Sequence, residues 1–179
     1  MTDNKRTSLL YSFYQSLASH FGSMDSLLSH ALPLIADYIG ADRIFYYDWF
    51  NTKSIISLRT MCVKGKCYQM QEDIFVDIDS PEVIKFKQDG IIDSPFLDYP
   101  AVYVLLKWRS PQNSLKPLKS GNDMYSTIGI LRIERLKQNK SFSKTDKEIL
   151  VQLARELSAR LNLTEVDQYN TSQLKRAED

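Results

Sequence analysis

Apolar positions along the chain recur at two different periods. Leu10, Phe13 and Leu17 repeat at helical spacing from Thr7 towards Phe21, and Gly22 stops the run. A second run opens at Ser23 and carries Met24, Leu27, Leu28, Ala31, Ile35 and Tyr38. Gly40 can take the left-handed conformation that ends it, and Pro33 removes one backbone donor inside it, so a kink is expected there. From Arg43 the period changes to two. Arg43 to Phe50 and Ser54 to Val63 are predicted strands, and Lys64-Gly65 offers a tight turn into a third, Lys66 to Gln71. Asp73 to Asp79 is a further short strand. Ser80-Pro-Glu82 then starts a helix with proline in its first turn, carrying Val83, Ile84 and Phe86 and ending near Gly90. Ile91 to Pro100 is irregular, and Ala101 to Arg109 is an apolar strand. Ser110 to Tyr125 is a long polar connection of the kind that is functional or disordered, and its composition favours disorder.

The last third of the chain is the most regular. Thr127 to Leu136 alternates Gly129, Leu131 and Ile133 against Ile130, Arg132 and Glu134, a strand with one polar face. Ser143-Lys-Thr-Asp146 has the spacing of a capping box, and Ile149, Leu150, Leu153, Leu157 and Leu161 then form one helical stripe. Val166, Tyr169 and Leu174 continue as an extension that frays. Two helices, a run of strands, a short helix, more strands and a final helix exclude a doubly wound sheet. The order predicts an α+β domain over residues 1–163: a central antiparallel sheet with the terminal helices on one face and loops and the short helix on the other. Residues 164–179 form a helical linker.

Composition narrows the function classes. With 179 residues there is enough chain for one real core, and acidic and basic residues cancel to a net charge of +1. That balance argues against bulk nucleic-acid binding. No apolar run is long enough to span a bilayer, and the polar start Met1 to Arg6 is no signal peptide, so a cytoplasmic protein is expected. His20 and His30 have no acidic or thiol partner at ligand spacing, and no Ser-His-acid set or phosphate loop occurs, so neither metal, cofactor nor catalysis is expected. The two cysteines, Cys62 and Cys67, flank the Lys64-Gly65 turn. They are expected either as small reduced apolar residues, the commoner use, or as a redox-sensitive pair, because a two-residue turn places them opposite each other within disulfide reach.

The strand faces separate by polarity. Leu131 and Ile133, with Val102, Val104, Leu106 and Trp108, suit the helix-packed core. Ile130, Arg132, Glu134, Tyr103, Lys107 and Arg109 turn to the other side. An arginine and a glutamate there need each other or a ligand.

Ile128-Gly-Ile-Leu-Arg-Ile133, Ser141-Phe-Ser-Lys-Thr-Asp146 and, upstream, Leu34-Ile-Ala-Asp-Tyr-Ile-Gly-Ala-Asp-Arg43 together resemble the GAF domain, a small-molecule-binding sensory domain of signalling proteins. A PAS-like sensor is the nearest competitor, but it usually lacks the two long leading helices. The GAF resemblance implies a pocket beneath the mid-chain helix, with Phe75, Asp77, Asp79, Ser80, Val83, Phe96 and Tyr99 near its wall and Tyr103, Arg132 and Glu134 on its floor. A cyclic nucleotide is one ligand it implies, although Asn139-Lys140 falls outside the register of the family's nucleotide-binding Asn-Lys pair, which lands on Arg135-Leu136. Chromophore attachment is not expected, since neither cysteine is followed by histidine. The apolar stripes Leu10, Phe13, Leu17 and Leu153, Leu157, Leu161 can pair with a second copy, so a parallel homodimer is expected, its helices running on into an output domain such as a diguanylate cyclase, phosphatase or kinase. The alternatives are a ligand-free dimerisation module and a thiol-dependent methionine sulfoxide reductase-like enzyme.

Overall fold

A computed structural model describes residues 3–19, 22–50, 54–94, 97–108, 127–137 and 140–178. The long connection Ser110 to Tyr125, together with His20, Phe21, Phe96, Arg109 and Asn139, lies outside the described residues.

Two helices lead, α1 (Asp3–Ala18) and α2 (Met24–Ile39). The first starts four residues before the apolar pattern does. Ser23 caps α2, its hydroxyl accepting from the Ser26 N–H at 3.1 Å, and Gly40 closes the helix at φ 71°. Strands β1 (Arg43–Phe50), β2 (Ile55–Val63) and β3 (Lys66–Phe75) follow. The expected break between Gln71 and Asp73 does not exist, because β3 pairs with β2 from Lys66 to Phe75. Lys64 and Gly65 both have positive φ, 50° and 76°, the backbone of a two-residue hairpin turn whose twist matches its strands. Helix α3 (Pro81–Asp89) is capped by Ser80, and Gly90 stops it in the left-handed conformation. A strand missed in the sequence, β4 (Ile91–Asp93), precedes β5 (Ala101–Trp108) and β6 (Thr127–Glu134), and the chain ends in α4 (Lys144–Glu178). At three residues β4 is too short to show a period, which is why it read as irregular.

The six strands form one sheet in the order β3-β2-β1-β6-β5-β4, every pairing antiparallel. One face carries Ile44, Tyr46, Cys62, Val102, Val104, Leu106, Leu131 and Ile133 against the three long helices. Leu27, Leu28, Leu32, Leu157 and Leu161 are fully buried there, each stabilising by about 1.5–3 kcal/mol relative to exposure. The stripe nominated for dimer pairing is therefore internal: Phe13, Leu153, Leu157 and Leu161 pack inside this core. An amphipathic stripe shows that a face is covered, not which chain covers it.

The start of α4 is tied down from three directions. Ser143 and Asp146 cap each other reciprocally at 3.0 and 3.1 Å. Buried Arg135 donates to the Asp146 carboxylate and the Ser141 carbonyl, both at 3.2 Å, and to the Ile39 carbonyl at the end of α2. Burial alone would raise the Asp146 pKa, but the Ser143 N–H and the Arg135 charge overcome it and hold the carboxyl below its usual range. Farther along, α4 is fastened to the α1–α2 turn by Arg160 to the Ser19 carbonyl (2.7 Å) and Gln168 to the Gly22 carbonyl (2.9 Å).

Candidate ligand-binding site

The second face of the sheet is built from the alternate residues of the same strands. Cross-strand register arranges them in rows. Arg43 of β1 stands opposite Glu134 of β6 at one end; Phe45, Arg132 and Tyr103 make the next row; Tyr47, Ile130 and Leu105 the next. Beyond them Trp49 pairs with Ile56 and Ile56 with Ile74, carrying the apolar surface towards β3. Helix α3 lies over these rows with Phe86 buried among them and Val83 packed alongside.

The roof and floor do not meet everywhere. Between them is a cavity of about 400 Å³, lined chiefly by Tyr47, Trp49, Ile56, Val83, Phe86, Ile130 and Arg132, with Tyr103 and Ile92 beside them. Ile74, Phe75 and Val76 wall one side, and exposed Glu82 of the first α3 turn stands at its edge. Its size is at the small end of the roughly 300–1,000 Å³ typical of ligand pockets.

One polar group among the described lining residues is incompletely satisfied. Arg132 stacks on Phe45, its guanidinium carbon 4.0 Å from the ring centre, and its Nε lies 3.0 Å from a Glu134 oxygen. That contact is an ion pair without hydrogen-bond alignment, so the buried Nε has no hydrogen-bond acceptor. Glu134 is itself shared. It is fully buried, accepts from Arg43 Nε (2.7 Å) and lies in ion-pair contact with Arg43 Nη2 (2.6 Å). Tyr99 completes this cluster, its hydroxyl accepting from Arg43 (3.2 Å) and donating to Glu134 (3.4 Å). Two guanidiniums thus face one carboxylate. Beside this cluster Tyr47, only 1% exposed, stacks on Phe45 and lies under the Arg132 guanidinium. Burial pushes its pKa up to about 12, against the opposing pull of Arg132, so the phenol stays protonated and able to donate.

The residues nominated from the sequence divide accordingly. Phe75, Val83, Tyr103 and Arg132 line the cavity. Glu134 and Tyr99 do not reach it; they sit behind Arg132, and Tyr99 faces a separate depression with Asp93 and Lys147. Asp77 accepts from the Asp79 N–H and both are exposed, while Ser80 caps α3, so these three shape the segment that enters the roof. Phe96 is outside the described residues. The mutual ion pair of Arg132 and Glu134 exists, but within a three-charge cluster that includes Arg43. The sequence reading missed Tyr47, Trp49, Ile56, Ile74 and Phe86. A signal was present: β1 is apolar and aromatic on both faces, as a strand covered on both sides must be.

Cys62 and Cys67 are opposite each other across the hairpin, Cα atoms 4.0 Å apart, and form a disulfide rather than two reduced side chains. It packs on the helix side of the sheet, beside Ser29 of α2, so neither of the chain's two cysteines lines the cavity. Among the described residues no cluster of three potential metal ligands occurs, and no helix is long and apolar enough to cross a membrane.

No family model matches the sequence, and no curated protein matches it. Solved structures do resemble it. The GAF domain of an Acinetobacter phosphoenolpyruvate-protein phosphotransferase superposes with a TM-score of 0.58 at 15% identity, over 90% of this chain and 94% of that one. A far-red cyanobacteriochrome photoreceptor gives 0.60 at 12% identity, over 92% and 100%. Free methionine-R-sulfoxide reductase from Neisseria meningitidis, solved with its substrate, gives 0.58 at 15%, over 93% and 95%. The chain has the GAF-domain fold.

Proposed function

We propose that this chain is a non-enzymatic sensory domain of a signalling protein, which binds a small molecule between the sheet and α3. The observation that carries this reading is the cavity itself, apolar-walled yet floored by Tyr47 and by Arg132, whose buried Nε has no hydrogen-bond acceptor. Buried polar groups without partners cost stability, and a ligand that supplies them removes that cost. Occupancy would bias α3 and the strand ends, and the signal would leave through the terminal helices to an output domain such as a diguanylate cyclase, phosphatase or kinase. A homodimer fits this relay, but its seam must use exposed residues. Tyr11 and Tyr14 on α1, and Leu163 and Leu174 three turns apart on α4, are the exposed large apolar side chains of these helices. The double variant Tyr11→Glu, Leu174→Glu is expected to halve the mass measured by light scattering while leaving the melting temperature nearly unchanged; an unaltered mass rejects this seam.

The direct test is a thermal-shift screen with cyclic nucleotides, amino acids and other metabolites. A ligand present at a hundredfold its dissociation constant adds about 2.7 kcal/mol of stability. If no compound shifts the transition, the ligand-free dimerisation module takes the place of the sensor. A cyclic nucleotide belongs in the screen, although the walls offer few partners for a sugar and a base edge. A sulfoxide reductase needs a thiol at its substrate, and both cysteines here lie on the opposite face of the sheet.

A further inference from the structure

Resting on that sensory reading, we propose that the cavity is built for a small monocarboxylate with an apolar body, its carboxylate seated between Arg132 and the Tyr47 hydroxyl. The charge balance at the floor carries the proposal. Arg43 and Arg132 share Glu134, and the aligned hydrogen bonds of that carboxylate all go to Arg43 and Tyr99. Arg132 keeps only an unaligned ion pair, and its side chain is three-quarters buried against Phe45. The described cluster therefore retains one positive charge, and it faces the cavity. An anion with two acceptor oxygens matches a guanidinium edge and can also accept from a phenol.

The walls set the rest of the ligand. Apart from Tyr47, Tyr103, Arg132 and Glu82, the described lining residues are aliphatic and aromatic. A nucleotide sugar or a zwitterionic amino acid would leave its polar groups unpaired against these walls, which is costly. Glu82 is the one acidic side chain among the described lining residues, and Glu72 acts on Tyr47 from outside the lining. Glu82 is exposed at the edge, where water screens it, and the N-terminal dipole of α3 offsets it further. Arg132 is the one cation among the described lining residues.

The test uses the intact chain and matched probes: 3-phenylpropanoate, 4-methylpentanoate and benzoate, the primary amide of each, and cyclic AMP and cyclic GMP, with affinity read by calorimetry. At least one carboxylate should bind about tenfold or more tighter than its amide. Arg132→Gln should abolish that preference, Arg132→Lys should keep part of it, and Tyr47→Phe should weaken the carboxylate several-fold while leaving the apolar contacts intact. Glu82→Gln should leave affinity unchanged or improve it. The proposal is overturned if amides bind as well as carboxylates, if Arg132→Gln retains the preference, or if no carboxylate binds. Should a cyclic nucleotide bind where the carboxylates fail, the ligand class is wrong and the sensory reading stands. Should every probe here fail along with the wider metabolite screen, both are lost. Circular dichroism of each variant separates a folding defect from a binding defect.

Discussion

Arg132 and Arg135 leave the end of the same strand within three residues of each other, yet they serve opposite faces of the sheet. Both lay their guanidinium on a phenylalanine ring, Phe45 at 4.0 Å and Phe142 at 4.2 Å. On the helix side, Arg135 finds a carboxylate and two carbonyls and joins the ends of α2, β6 and α4. On the cavity side, Arg132 has half a claim on one carboxylate. The comparison teaches that burial of a cation does not by itself mark a site. Both arginines have a buried Nε without an acceptor; what separates them is that the Nη1 and Nη2 of Arg135 find acceptors in the chain.

The largest effect that could break this contrast is removal of Arg135. Arg135→Met takes the cation from Asp146, leaving it only its Ser143 cap, and the donor from two carbonyls, and should cost about 3–5 kcal/mol in urea denaturation. Arg132→Gln leaves Glu134 with Arg43 and should cost no more than about 1 kcal/mol. Equal losses would mean that both arginines are structural. Packing should show the same asymmetry. Leu157→Ala on the filled face should cost about 2–5 kcal/mol, whereas Val83→Phe on the cavity face should leave stability unchanged within about 1 kcal/mol and block ligand uptake. Cys67→Ser opens the hairpin clasp on the helix side. Because the loop it closes is short, the chain-entropy relation gives a loss of only about 2 kcal/mol, readable as a lower denaturation midpoint.

The smallest effect sharpens the helix side by pH. Asp146 has its carboxyl held low in the folded state, so its contribution is fully present above the unfolded carboxyl pKa of about 3.9 and disappears as pH falls through the lower folded value. Asp146→Asn should therefore be less stable than the wild type by about 1 kcal/mol at pH 7 and equal to it in strong acid. A gap that persists at low pH would assign the loss to something other than the ionised cap.

Much of this division was legible in the chain. The alternation through Leu131 and Ile133 against Ile130, Arg132 and Glu134 sorted the two faces, and the Ser143–Asp146 spacing gave the cap of the last helix. Those signals are local, written within one element. The cluster around Glu134 was not legible, because Arg43 is 91 residues away in the chain and meets it only through the β1–β6 register. The fate of the Phe13 and Leu157 stripes was hidden for the same reason. Neither the β4 edge nor the Tyr47–Trp49 lining announced itself, the first for shortness and the second because a strand aromatic on both faces does not say which face borders a cavity.

Helix α4 runs unbroken for 35 residues, which at 1.5 Å per residue is about 52 Å, and only its first two-thirds rest on the domain. A rod held that way is a lever. Tilting its base by about 3° carries the far end some 2.5 Å, a displacement as large as a side-chain rotamer change. A shift of the sheet by a fraction of an ångström is thus magnified along the helix by the time it reaches Glu178.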